Sequence, residues 1–224
     1  LERLAAAADV LADRASSGEG AAADALALVA ARVWARSGSD VGRLGRWAAG
    51  EDLPAGLAGD DDFRWLVLRR LSALDALDDA TLTAAEEADR SLAGSLAALG
   101  VRAVRPTTQA KEWAWDRLHD DPELSNYGAL ELARGFWAAP DPGLLRPYVA
   151  RVGDLLAHLG VRMGEDALSR VAVALHPKPV VEAATLSASE AMIGRDDLSP
   201  GVRRALLDED HVLREALASH RRFA

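Results

Sequence analysis

Five histidines, His119, His158, His176, His211 and His220, carry most of the chain's capacity for acid–base or metal chemistry. None opens a His-Glu-x-x-His run, the helical spacing that sets two imidazoles one turn apart on zinc with a carboxylate base beside them. The nearest metal-like arrangement is His211 with Glu215 four residues on and Asp208 three before, a pattern that equally describes a charged helix face with a local ion pair. Cysteine is absent, which removes thiolate nucleophiles, disulfides, iron–sulfur clusters and zinc–thiolate sites. No Gly-x-Gly-x-x-Gly turn, Walker loop or Gly-x-Ser-x-Gly elbow occurs. The expectation is that these residues hold no catalytic group, no metal ligand and no cofactor.

Recognition chemistry is better represented. The six tryptophans are Trp34, Trp47, Trp65, Trp113, Trp115 and Trp137. Trp34, Trp47 and Trp137 sit in apolar stripes and are expected in cores. Trp113 and Trp115 are two positions apart, which on a helix turns them roughly 200° from one another. They cannot both face one core, so one of them meets another helix layer, a groove or solvent. The run from Asp60 to Leu71 has three acids at a helix start, then Arg64, Arg69 and Arg70 within two turns, with Trp65 between. An arginine beside a tryptophan on a concave surface can take a peptide carboxylate through a two-pronged charged hydrogen bond. The same residues also fit an acid-capped helix whose arginines pair with acids on its neighbours.

The elements that must position these groups are helices. Ile occurs once and Phe and Tyr together five times, so the β-branched and aromatic enrichment of strands is missing. Half of the residues are hydrophobic, enough for a substantial core, and no run approaches the roughly 20 apolar residues of a membrane span. Thirty-five acids against 26 bases give a net charge of −9, a surface that repels the phosphates of nucleic acid. With no targeting segment at its start, the chain is expected in the cytoplasm. It opens at Leu1, already in helical pattern, which suggests a piece of a longer polypeptide.

Caps and breakers divide the chain into about a dozen short helices. They are expected near 1–15, 21–36, 40–48, 63–74, 81–89, 91–99, 106–119, 125–138, 144–159, 165–175, 179–193, 200–207 and 208–222. Gly100 reads as the residue that ends the sixth, and Pro140 to Gly143 as the stop after the eighth. Links of a few residues favour antiparallel neighbours. The pattern predicts an all-α fold, a right-handed α–α superhelix of antiparallel helix pairs like those of HEAT and armadillo arrays, forming one helical-repeat domain over 1–224. No fixed repeat period accompanies it.

Several segments resemble a known family. Leu53-Pro54-Ala55-Gly56-Leu57 through Asp62-Phe63-Arg64-Trp65 and Arg69-Arg70-Leu71 look like the C-terminal helical domain of actinobacterial-type aminopeptidase N, in the M1 metallopeptidase family. So do Pro106-Thr107-Thr108-Gln109-Ala110-Lys111-Glu112-Trp113-Ala114-Trp115, Gly135-Phe136-Trp137 and Leu144-Leu145-Arg146-Pro147-Tyr148. The resemblance runs from about Gly50 to His220 and weakens toward the N-terminus. It implies a zinc aminopeptidase whose catalytic domain, with the zinc motif and the Gly-Ala-Met-Glu-Asn motif, lies upstream in the same polypeptide. Neither motif is in this chain. The helical domain would close over the active site as a lid and a wall of the peptide chamber. Arg64, Trp65, Arg69, Lys111 and Trp113 are then the candidate residues of the substrate cavity, with peptides as the ligand. A HEAT-like scaffold gripping another protein is the alternative. An all-α ligand-binding regulator fits least, because residues 1–15 offer only Arg3 and Arg14 against Glu2, Asp9 and Asp13.

Overall fold

The computed structural model describes residues 1–54, 56–138 and 141–223, with the side chain of Phe223 left aside. Ala55 and Pro140, named in the reading above, lie outside the described residues. Thirteen α-helices and no strand are found among the described residues: α1 Glu2–Ser16, α2 Ala21–Ser37, α3 Val41–Ala48, α4 Asp61–Ala73, α5 Asp79–Ala88, α6 Leu92–Val104, α7 Thr108–Asp120, α8 Asn126–Phe136, α9 Pro142–Val149, α10 Val152–Gly160, α11 Glu165–Leu175, α12 Ala183–Ile193 and α13 Pro200–Phe223. The all-α expectation holds, and helix packing within each part is consistent with an α–α superhelix.

The chain resolves into two compact units, Leu1–Val101 and Arg102–Ala224. In the first, α1 packs on α2, and α2 and α3 pack on α4. Its core is aromatic at one end. The Trp34 and Trp47 rings meet edge-on at 5.2 Å, Trp47 lies 5.4 Å from Phe63, and the Arg43 guanidinium covers Trp34 at 4.1 Å and Trp47 at 4.7 Å. In the second unit α7 meets α8, α9 and α10; α8 and α10 meet α11; and α11 and α12 meet α13. A second aromatic cluster gathers there, with Trp115 4.9 Å from Tyr148 and 5.5 Å from Phe136.

Side-chain caps explain many of the helix starts. Asp40, Asp60, Asp78, Thr107, Ser125 and Asp141 each accept a hydrogen bond from a backbone N–H of the first turn, as at Asp60, which takes the Phe63 N–H at 2.8 Å. At α7 the cap is Thr107, so Pro106 stays outside the helix.

Four boundaries differ from the sequence expectation. Gly100 is inside α6, buried beside Ala98, Val101, Ala103 and Val104. The apolar packing of that face offsets the ~1 kcal/mol that glycine costs a helix interior. The single helix expected over 144–159 is two, α9 and α10, although Leu145, Tyr148, Val152, Leu155, Leu156 and Leu159 keep one buried face throughout. α9 runs past Pro147 to Val149, and the break falls at Ala150 and Arg151, where a turn closes through the Arg151 N–H to the Tyr148 carbonyl at 2.9 Å. The expected start of α12 at Pro179 moves to Ala183, because the Val180 N–H closes a turn on Pro177 and puts Val180 fully inside. The two helices expected over 200–222 are one, α13. Val202, Leu206, Leu213 and Leu217 line its inner face, and the charges at 208–210 lie within that continuous period.

Candidate functional site

The five candidate cavity residues divide between the units, and each unit is described separately. In the first, α4 presents Arg64 and Trp65 in opposite senses. Trp65 is buried, and its indole N–H donates to the Asp89 carboxylate at 2.8 Å, tying α4 to the end of α5. That carboxylate is held below the usual range by the Ser91 hydroxyl first and by the Trp65 N–H next. Trp65 is a packed anchor with its polar edge already matched. Arg64 is half-buried, and its charge adds to the lowering of the Asp89 carboxyl. It lines a groove of about 390 Å³ with Trp47, Leu53, Leu57, Asp60 and Phe63. Asp60 is engaged there by the Arg32 guanidinium, and Asp61 also lines the groove, so Arg64 stands between an apolar wall and two carboxylates.

Arg69 is half-buried and engaged in a contact of its own. Arg70 is spent on structure. Its guanidinium donates to the Gly38 carbonyl at 2.6 Å and the Ser37 carbonyl at 3.3 Å, meeting the open carbonyls at the end of α2. Of the two readings of the Asp60–Leu71 segment, Arg70 and the Asp60 cap follow the acid-capped helix, and Arg64, half-buried on the groove, is the arginine placed where a ligand could reach it.

In the second unit, Trp113 and Trp115 point apart as their spacing demands. Trp115 lies in the aromatic cluster with the Arg151 guanidinium 4.9 Å from its ring. Trp113 is half-buried on a groove of about 590 Å³ whose other walls are Asp116, Arg117, Asp120, Asp121 and Glu123. Arg117 pairs with Asp121 at 2.8 Å. An aromatic face rimmed by carboxylates suits an ammonium or guanidinium group. Lys111 is not on that groove. It is wholly buried, its ammonium donates to the Ala103 carbonyl at 2.5 Å, and it lies 5.6 Å from the centre of the Phe136 ring. Facing the opposite way from Trp113 across α7, it satisfies a core carbonyl and lines neither the Arg64 nor the Trp113 groove.

The histidines do not gather. His119 and His158 stack in parallel at 4.3 Å, His211 pairs with Glu215 at 3.3 Å, and His176 is buried against Ser189 at 2.9 Å. Stacked or scattered rings do not converge on one ion, and no group of three or more metal-ligating side chains is found among the described residues.

The sequence reading missed a third groove. It draws Arg134 and Trp137 from α8, Arg170 from α11, and His176 and Lys178 from the link to α12. These residues are up to 44 positions apart with no motif spacing. Only Trp137 carried a signal, and that signal pointed to a core.

No described helix is long and apolar enough to cross a membrane. No protein-family model matches the chain. Aminopeptidase N of Streptomyces lividans is 28% identical to it over 162 residues, which is 72% of this chain and 19% of that protein. The chain thus spans about one fifth of the length of the curated relative it matches. By this similarity it is related to aminopeptidase N, of which it matches a part.

Proposed function

We propose that this chain is the C-terminal helical domain of an aminopeptidase N of the M1 metallopeptidase family, acting as a lid and substrate-chamber wall in a cytoplasmic enzyme. The observation that carries the reading is the 28% identity to a part of the Streptomyces enzyme. The all-α build and the motif segments around Arg64, Lys111 and Phe136 support it. In this reading the zinc and the bond-breaking groups belong to the catalytic domain upstream in the same polypeptide.

The contribution of these residues is positional. A wall that removes the peptide from bulk water and holds its far end lowers the entropic part of the barrier without touching the scissile bond. Arg64, the cation lining its groove, suits a carboxylate of the peptide. The Trp113 groove suits a cationic side chain or a terminal ammonium.

The test measures leucyl-anilide hydrolysis by the isolated chain with added zinc, and by the larger polypeptide with and without residues 1–224. The isolated chain gives no turnover. Removing the domain from the enzyme raises KM for peptides of about ten residues more than for the anilide. Turnover proportional to the isolated chain, or equal effects on both substrates, rejects the proposal.

A further inference from the structure

The third groove, formed by α8, α11 and the link to α12, has a volume of about 510 Å³, within the range of small-molecule sites. Three cations line it, Arg134, Arg170 and Lys178, and no acid does, on a chain whose net charge is −9. Arg134 pairs with Glu131 at 2.7 Å and Lys178 pairs with Glu209, both acids lying outside the lining. Arg170 is exposed and makes no hydrogen bond or ion pair among the described residues. Leu130, Val173, Ala174 and Pro179 supply an apolar surface beside these charges.

A second observation is independent of the charges. Trp137 and His176, both lining residues, are 5% and 1% exposed, and the Trp137 Nε1 and His176 Nδ1 atoms are buried without a hydrogen-bond partner among the described residues. Buried polar atoms are nearly always matched, and two unmatched ring nitrogens at one groove mark a place where a partner is missing.

We propose that this groove binds an organic monocarboxylate with an apolar or aromatic body, its carboxylate on Arg170 and its body against Trp137, Val173 and Pro179. The guanidinium fork of Arg170 matches a carboxylate in two-pronged fashion. One uncommitted cation balances one negative charge, which disfavours a phosphate dianion. Seating an acceptor at the Trp137 and His176 edge would also match a nitrogen that is otherwise unmet. The inference rests on this unit alone and stands or falls separately from the aminopeptidase reading.

The carboxylate has two possible sources, a free small acid or the C-terminus of a peptide, and the experiment separates them. Calorimetric titration of the full chain uses 4-phenylbutyrate, the neutral 4-phenylbutanol, inorganic phosphate, and N-acetyl-Leu-Phe as free acid and as amide. Saturable binding of phenylbutyrate is expected, weaker for the alcohol and for phosphate by about tenfold or more. Arg170→Gln should reduce it by a similar factor, Arg170→Lys by less, and Arg117→Gln, on the other groove of this unit, not at all, with near-ultraviolet circular dichroism unchanged in each. Tighter binding of the peptide acid than of phenylbutyrate, lost in its amide, supports the site with a peptide terminus as its source; the reverse order supports it with a free acid. Absence of saturable binding by either carboxylate, equal binding of acid and alcohol, or no effect of Arg170→Gln overturns the proposal.

Discussion

The Nε2 atom of His176 lies 2.9 Å from the hydroxyl oxygen of Ser189, and neither side chain has appreciable solvent exposure. Burial pushes the imidazole down from 6.5 to about 4, against the opposing pull of Glu209 and Asp210, with Lys178 adding to the depression. The unfolded chain therefore takes up a proton near pH 6.5 that the folded chain refuses until near pH 4. Stability from this residue is complete above pH 6.5 and is lost as pH falls toward 4, by about 3 kcal/mol in all. Urea unfolding of wild type and His176→Asn at pH 7.5 and pH 4.5 checks it. The variant should show a flatter pH dependence, and identical slopes would place the acid sensitivity elsewhere.

Lys111 is the largest buried cation, and its ammonium is the match for the Ala103 carbonyl. Lys111→Ala removes that hydrogen bond and opens a cavity beside Phe136, at a cost of about 3–5 kcal/mol. Lys111→Met keeps most of the volume and should cost about 1–2 kcal/mol, chiefly for the unmatched carbonyl. Denaturant midpoints of the two variants give the order directly.

Gly38 ends α2 under the Trp34 ring. A Cβ there would come within 2.8 Å of three ring atoms, so Gly38→Ala must displace the indole that meets Trp47 edge-on. The expected cost is about 1–3 kcal/mol. Gly45 has open space at its Cβ position and lies in a helix interior, so Gly45→Ala should gain up to about 1 kcal/mol. Thermal unfolding of the pair separates close packing from a general effect of removing glycine.

Arg64 offers the functional test. If the chain is part of an aminopeptidase as proposed, Arg64→Gln in that larger enzyme should raise KM for a peptide of about ten residues by about threefold or more, with kcat and dipeptide KM little changed. Arg70→Gln, which loses its bonds to Ser37 and Gly38, should instead lower stability without selectivity for peptide length. Steady-state kinetics with substrates of two lengths distinguishes them.

The sequence by itself determined the helices, because caps such as Asp60 and Thr107 and the 3.6-residue apolar period act within a few residues of chain. It also required Trp113 and Trp115 to part, which follows from helix geometry alone. It could not show which cations are committed. Lys111 and Arg64 look alike in sequence, yet one is buried on a carbonyl of the preceding helix and the other lies half-buried on a groove, because long flexible side chains are assigned by neighbours distant in the chain. The continuous α13, the split between Val149 and Val152 and the groove at Arg170 were likewise decided by packing. Whether a marginal helix joint holds, and which side chains from separate helices share a wall, depend on the surface each helix buries against another, and only the tertiary structure brings those surfaces together.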